Sequence, residues 1–515
     1  MRKTLAVILC ALMILPLAFV GISAAEPEVI TTAEQFAAIK VDGNYKLGAD
    51  IAVASSLVFK DAEDKEVGFA GTLDGDGHTI TVSAPIFSRL SGTVKNLVIK
   101  GSVSGDGKDQ HVAPLALRSG SGATVVLDNI VNYATVNTGY RGAGIFAQID
   151  DKSTATITNC ENHGAVTFKY VTYVDNGEEK KTSSMVAGII AYQQGATLVL
   201  KDCVNEGAIS TNNGLAGGIL GRFGGDYTLA KTYSCTIDNC LNKGTITGGS
   251  TVGGIAGFAR SCTMTIKNCT NDGEVKAADN DAAGILSSSN VTKGTTQDGT
   301  KDVKNCGNSD IIITGCVNNG NISSAKGRGA GICGYVWAGT GADSVNTHVD
   351  IENNLNKGTI SGTSQVSQIM AYTNSKDNIV KNNVGLGKIA KGADAAILSF
   401  YSFSSAAIPA ELKDNVIVDD GTEYATYTAT AANSGSITKI DAEGAAAMVA
   451  VKSEADAKAA ADALGAIGVQ GTVGYQAAPA PGTPSQPTGD TAVWVLVIAG
   501  VSLLGMGIAL KARKA

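Results

Sequence analysis

Ile237-Asp238-Asn239-Cys240-Leu241-Asn242-Lys243-Gly244-Thr245-Ile246 decides how this chain folds, because it recurs. A close copy is Ile157-Thr158-Asn159-Cys160-Glu161-Asn162-His163-Gly164-Ala165-Val166, and others centre on Cys203, Cys269 and Cys316. Asn354 and Asn383 stand at the cysteine position in later copies, and Ile130 in an earlier one. A second block follows each copy. Gly217-Gly218-Ile219, Gly253-Gly254-Ile255 and Gly329-Ala330-Gly331-Ile332 are the clearest, and degenerate versions end at Ile145, Ile189, Ile285, Ile369 and Ile397. Eight repeats therefore run from about residue 125 to 402. Self-similarity at such a period is the signature of stacked-repeat architectures.

Each repeat is too short and too glycine-rich to close a core alone. Stacking solves this, because every strand pairs in register with its copies and equivalent side chains form internal ladders. Ile237 and Cys240 are an odd number of positions apart, so strict alternation would put them on opposite faces. The spacing predicts a bend at Asn239, whose amide can hydrogen-bond along a stack of equivalent turns. The Asn-x-Gly that follows predicts a second corner, with glycine adopting a positive φ. Three short strands per turn of chain make an all-β parallel β-helix, and eight coils at about 4.8 Å each give roughly 40 Å of rod. An array of β-sandwiches is the competing architecture, for which each repeat is short.

The pattern resembles the GLUG-type repeats of bacterial surface proteins, and Gly71-Thr72-Leu73-Asp74-Gly75-Asp76-Gly77-His78-Thr79-Ile80 adds to the resemblance. It implies a right-handed parallel β-helix. Residues 26–124 are expected to form an N-terminal cap and the first coils, 125–402 the repeats, and 403–476 a C-terminal cap. Thr31-Thr32-Ala33-Glu34 suggests a capped short helix, and Ser453 a second helix reaching about Ile467.

The two ends read as addresses. Arg2 and Lys3, the apolar run Leu5 to Val20 and the small residues Ser23-Ala24-Ala25 form a signal-peptide pattern over 1–25, with an uncleaved anchor as the alternative. Thr491 to Leu510 carries no charge and is long enough for a transmembrane helix, and Lys511, Arg513 and Lys514 (within the tail 511–515) should stay in the cytoplasm. The linker 477–490 ends in Pro487-Thr488-Gly489-Asp490, which is similar to the sortase sorting signal of Gram-positive surface proteins. That resemblance implies linkage of Thr488 to peptidoglycan. The motif departs from Leu-Pro-any-Thr-Gly, because Ser485 and Gln486 fill its first two positions, so simple membrane retention stays open. Either route gives a secreted protein held at the cell surface by its C-terminus.

Net charge is −7, charged residues are 17%, and no basic stripe occurs, which argues against nucleic acid as a partner. Ten cysteines become nine once the leader is removed, and five share one repeat position. They suit a column of small buried side chains, with a Cys235–Cys262 disulfide as an alternative. Three residues after each repeat isoleucine stand Gln148, Tyr192, Arg222, Phe258, Ser288, Tyr335, Tyr372 and Phe400. The aromatic members Tyr192, Phe258, Tyr335, Tyr372 and Phe400 are the candidate binding residues. They form either an outward stripe for sugar rings or an internal ladder. Insertions at about 224–234, 289–310 and 338–350 should leave the rod at one corner and mark a binding face, unless they are surface decoration. The insertion 167–184 interrupts another corner.

Asp74 and Asp76 are a weak calcium signal set against a structural turn. Asp150-Asp151-Lys152 and Asp226 are the residues a polysaccharide lyase or hydrolase site would draw on, but no acidic cluster recurs on adjacent coils. His78, His111, His163 and His348 are scattered. No catalytic residue, metal ligand or cofactor is assigned. The expected function is adhesion to a glycan or another surface protein. A lyase or hydrolase on the same scaffold and a passive wall spacer are the alternatives.

Overall fold

The computed structural model describes residues 26–224, 233–260, 262–290, 294–295, 302–303, 309–337, 347–375, 378–390, 397–403, 410–418 and 437–440. It is all-β, with successive repeats lying on one another as parallel coils. One coil shows the plan. Its chain runs through β1 (Tyr233–Asp238), β2 (Leu241–Asn242), β3 (Ile246–Gly248), β4 (Thr251–Gly253) and β5 (Ala256–Arg260). Five short strands replace the expected three, because corners break two of the sides. Each pairs in parallel with its counterparts in the coils before and after: Ile237 faces Leu200 and Ile266, and Ile246 faces Ile209 and Val275. Continuous parallel pairing from coil to coil excludes separate sandwiches.

The bend expected at Asn239 is present. Asn239 has φ 53°, as do Asn159 at 53° and Asn268 at 55°. Asparagine tolerates this left-handed region better than other non-glycine residues. The extra turn swings Cys240 inward, so Ile237 and Cys240 are both buried. The Asn239 amide also reaches along the stack, donating to Asp202 at 2.6 Å, and Asn268 donates to Asp238 at 3.0 Å.

The second corner has a different cause from the one expected. Gly244 does not have a positive φ. A Cβ there would lie 2.1 Å from the Gly207 carbonyl oxygen, and at Gly273 2.0 Å from that of Gly244. Close approach of one coil to the next demands glycine. The asparagine two residues earlier carries the corner. Its amide donates to the glycine carbonyl, 2.9 Å for Asn242 to Gly244, and to the next asparagine, 2.8 Å for Asn242 to Asn271. Asn132, Asn162, Asn205, Asn242, Asn271, Asn318 and Asn356 form this unbroken buried chain.

Cys160, Cys203, Cys240, Cys269 and Cys316 are free and buried. Burial without a neighbouring cation pushes the Cys160, Cys240 and Cys316 thiols well up. Farther along, Asn354, Asn383 and Asn415 take over this column, and Asn383 donates to Asn415 at 3.1 Å. Cys235 and Cys262 are also free. Cys235 sits opposite Met264, two residues from Cys262. That offset puts the pair about 8 Å apart at the backbone, beyond disulfide reach.

At the N-terminal end a short helix, Ala33–Ala37, has Thr32 as its cap. The box closes through Gln35 rather than Glu34, and Phe36 plugs the interior. Strands Glu411–Lys413 and Asn415–Val418 continue the stack beyond residue 402. Among the described residues no helix is long and apolar enough to cross a membrane. The expected leader 1–25, the helix near 453–467, Thr488 and the span 491–510 lie outside the described residues.

Candidate ligand-binding seam

The candidate stripe is a real column over most of its length. Gln148 lies beside Tyr192, Tyr192 beside Arg222, Arg222 beside Phe258, Phe258 beside Ser288, Ser288 beside Tyr335, and Tyr335 beside Tyr372. Phe400 drops out. The last coil pairs with register shifts, Ser399 opposite Ser367 and Tyr401 opposite Met370, so Phe400 does not sit beside Tyr372.

The column faces outward. Tyr192 and Phe258 are only 4% and 7% exposed, yet neither belongs to the interior cluster. Their cover comes from the side, because the corner between the β4 and β5 positions folds back on itself. A Cβ on Gly253 would lie 1.9 Å from the Ala256 carbonyl oxygen, and one on Gly217 2.0 Å from that of Leu220. Ala283, Ala330 and Ala371 pack there in a small cluster apart from the interior. Small residues at this corner let the outer faces of both strands converge.

A second column therefore meets the first. It runs His111, Arg141, Met185, Leu215 and Thr251. Farther along, Arg328 occupies the same position, four residues before its isoleucine, as Arg141 does before Ile145. Sequence reasoning missed this column. The signal was available, because the position four before each isoleucine can be scanned as readily as the position three after.

The two halves of the seam differ in charge. In the half nearer the C-terminus, Arg328 lies 4.3 Å from the Tyr335 ring centre and 5.7 Å from that of Tyr372, and it donates to Asp281 at 3.0 Å and Gln365 at 2.8 Å. Tyr335 stacks on Tyr372 and on Trp337, each 5.9 Å away with the rings inclined by 19° and 21°. Burial raises the Asp281 carboxyl despite Arg328, and pushes the Tyr335 hydroxyl up to about 12. Such cation–ring contacts are worth about 0.5–2 kcal/mol each, depending on desolvation.

In the other half, Arg141 lies 4.4 Å from the Tyr192 ring and Arg222 5.2 Å from it, and Arg222 also approaches Phe258 at 5.7 Å. Arg141 donates to Gln148, whose Oε1 lies 2.8 Å from His111 Nε2. Burial pushes His111 down to about 4, so its ring is neutral at physiological pH. At the N-terminal edge, Asp150 accepts from Arg118 at 2.7 Å, Arg89 at 3.2 Å and Gln148 at 2.7 Å. Its two cationic partners give Asp150 a structural role. Asp151 accepts from Ser121 at 3.2 Å instead of joining it.

The other candidates resolve simply. Asp74 and Asp76 form a turn, with Lys95 3.1 Å from Asp74 and Lys46 2.9 Å from Asp76. Among the described residues no three histidine, cysteine or acidic side chains converge as metal ligands. His163 bridges Glu161 at 3.0 Å and Glu206 at 2.9 Å, and stacks on Tyr133. Gly224, Asn290 and Trp337, which precede the three insertions, hold equivalent positions at the end of the β5 strand. Most residues of those insertions lie outside the described ones, as does Asp226. The segment 167–184 contains a hairpin of Thr172–Asp175 and Glu178–Lys181.

No family model matches the chain, and no curated protein matches it. Among solved structures, it is similar to a Bacteroides ovatus protein provisionally called an immunoglobulin A1 protease, at 19% identity and a TM-score of 0.32, over 58% of this chain and 78% of that one.

Proposed function

We propose that this chain is a bacterial surface protein, tethered by its C-terminus, whose rod of stacked coils presents the seam to an extended glycan or another surface molecule. The observation that carries the reading is the Tyr335–Trp337–Tyr372 stack, set in register on the outside of the rod. Flat rings outside the core offer the apolar, polarisable faces on which the C–H faces of sugars stack. Solenoids commonly bind along such extended surfaces. The GLUG-like repeat supports a right-handed winding, and the terminal segments support export and attachment through Thr488.

A glycan array probed with the full chain tests this. Binding by the native chain that is lost in a Tyr335→Ala/Tyr372→Ala variant of unchanged melting temperature supports the reading. Silence of the native chain against every glycan would leave the spacer role. Release of reducing or unsaturated sugar ends would point to the lyase or hydrolase. Separately, Thr488→Ala should abolish co-purification with isolated cell wall. Retention of wall linkage would dismiss that attachment site.

A further inference from the structure

We infer that the stretch of the seam around Arg141, Tyr192, Arg222 and Phe258 is an anion site that takes the carboxylate or sulfate groups of an acidic polysaccharide. This deepens the glycan reading above and rests on it.

Two guanidinium groups lie near one ring, Arg141 at 4.4 Å from the Tyr192 centre and Arg222 at 5.2 Å. Among the described residues neither has a carboxylate partner. The neighbours on either side do: Arg118 and Arg89 share Asp150, and Arg328 has Asp281. The Nε atoms of Arg141 and Arg222 are buried without a hydrogen-bond partner, as is that of Arg89, whose charge Asp150 meets. Burial first, and then the charges of Arg222 and Arg118, draw Arg141 below the ordinary arginine value. Like charges brought together and partly desolvated are costly unless a counter-charge arrives. The fold could have supplied one. Thr251 occupies the same column as Arg141, and the next coil's Asp281 is the carboxylate that neutralises Arg328.

The ligand's class follows from what is left open. Unused guanidinium N–H groups favour oxygen anions with two or three acceptors. Tyr192 and Phe258, two coils and about 9.6 Å apart, hold the guanidinium groups against their ring faces. A polymer of sugars bearing one anionic group per unit meets that need along the rod. Carboxylates and sulfates share this chemistry, so the probes must separate them.

The test is retention of the full chain on four immobilised polymers: polygalacturonate, its fully methyl-esterified form, dextran sulfate and dextran. At least tenfold tighter binding to a charged polymer than to its neutral counterpart is expected, with loss of that preference in Arg141→Gln and Arg222→Gln. Preference confined to polygalacturonate or to dextran sulfate identifies the anion. Equal binding to charged and neutral forms overturns the anion site. So does unchanged preference in both variants. In either case neutral-glycan binding that still depends on Tyr335 and Tyr372 leaves the broader reading standing. Failure to bind any of these polymers, or any glycan of the array, removes both. Tighter, arginine-dependent binding to single-stranded RNA overturns the choice of a polysaccharide. If a variant melts early, a salt titration of the native chain decides, because charged-polymer retention must fall with ionic strength and neutral retention must not.

Discussion

Two columns run along the same rod, one residue per coil, and they differ in one respect. The asparagine column repeats a single residue from Asn132 to Asn356, with amide links of 2.7–2.8 Å. The seam column changes at almost every step, through Gln148, Tyr192, Arg222, Phe258, Ser288, Tyr335 and Tyr372. The first is buried at a corner where the glycine carbonyl and neighbouring amides have no water to turn to. Only a side chain that both donates and accepts can continue that chain. The second faces outward, where stacking imposes no identity. A uniform column holds the coils together, and a varied column is free to distinguish ligands.

Substitutions can break or sharpen that contrast. The largest effect is expected from Asn242→Leu. It leaves the Gly244 carbonyl and the Asn271 side-chain oxygen without their donor, at about 1–3 kcal/mol each. Chemical denaturation should show a clear fall in midpoint, and a midpoint equal to that of the native chain would mean that the column does not support the stack. Gly244→Ala comes next, because the Gly207 carbonyl oxygen 2.1 Å from the new Cβ must move. A loss of about 1–3 kcal/mol is expected by the same measurement.

The seam should respond in binding instead of stability. Removing both rings in Tyr335→Ala/Tyr372→Ala should weaken glycan binding roughly tenfold per ring, about 1.4 kcal/mol each, with a stability loss smaller than that of Asn242→Leu. A stability loss matching that of Asn242→Leu would erase the distinction between the columns.

Asp281→Asn should make the two halves alike. With Arg328 released, binding of acidic polysaccharide should rise several-fold in a titration. The same variant has a pH signature. Burial raises the Asp281 carboxyl, so the folded chain holds that proton more tightly than the unfolded one. Stability therefore declines as pH rises from the ordinary carboxylate range through the raised value, and is level above it. Asp281→Asn should flatten that decline in melting-temperature profiles. The smallest effect is expected from Phe400→Ala, whose backbone position lies out of register with the column. Glycan affinity should stay within about twofold of the native value, because that backbone position does not continue the column. A tenfold loss would mean that the seam extends into the last coil.

The repeat by itself determined the stack. Ile237 and Cys240 could both be inward only with a bend at Asn239, and the third residue after each isoleucine was legible as a candidate outward position. These are consequences of local spacing, which every copy states again. Tertiary structure decided whatever depends on distance between coils or across a corner. It assigned Gly244 to close approach instead of a positive φ, set Cys235 opposite Met264, and moved Phe400 out of line. It also brought Arg141 and Arg328 against the rings, through a corner that folds inward because alanine and glycine leave room there. Spacing along a chain sets which way a side chain points, but its neighbours depend on how tightly the next coil sits and how sharply the chain turns.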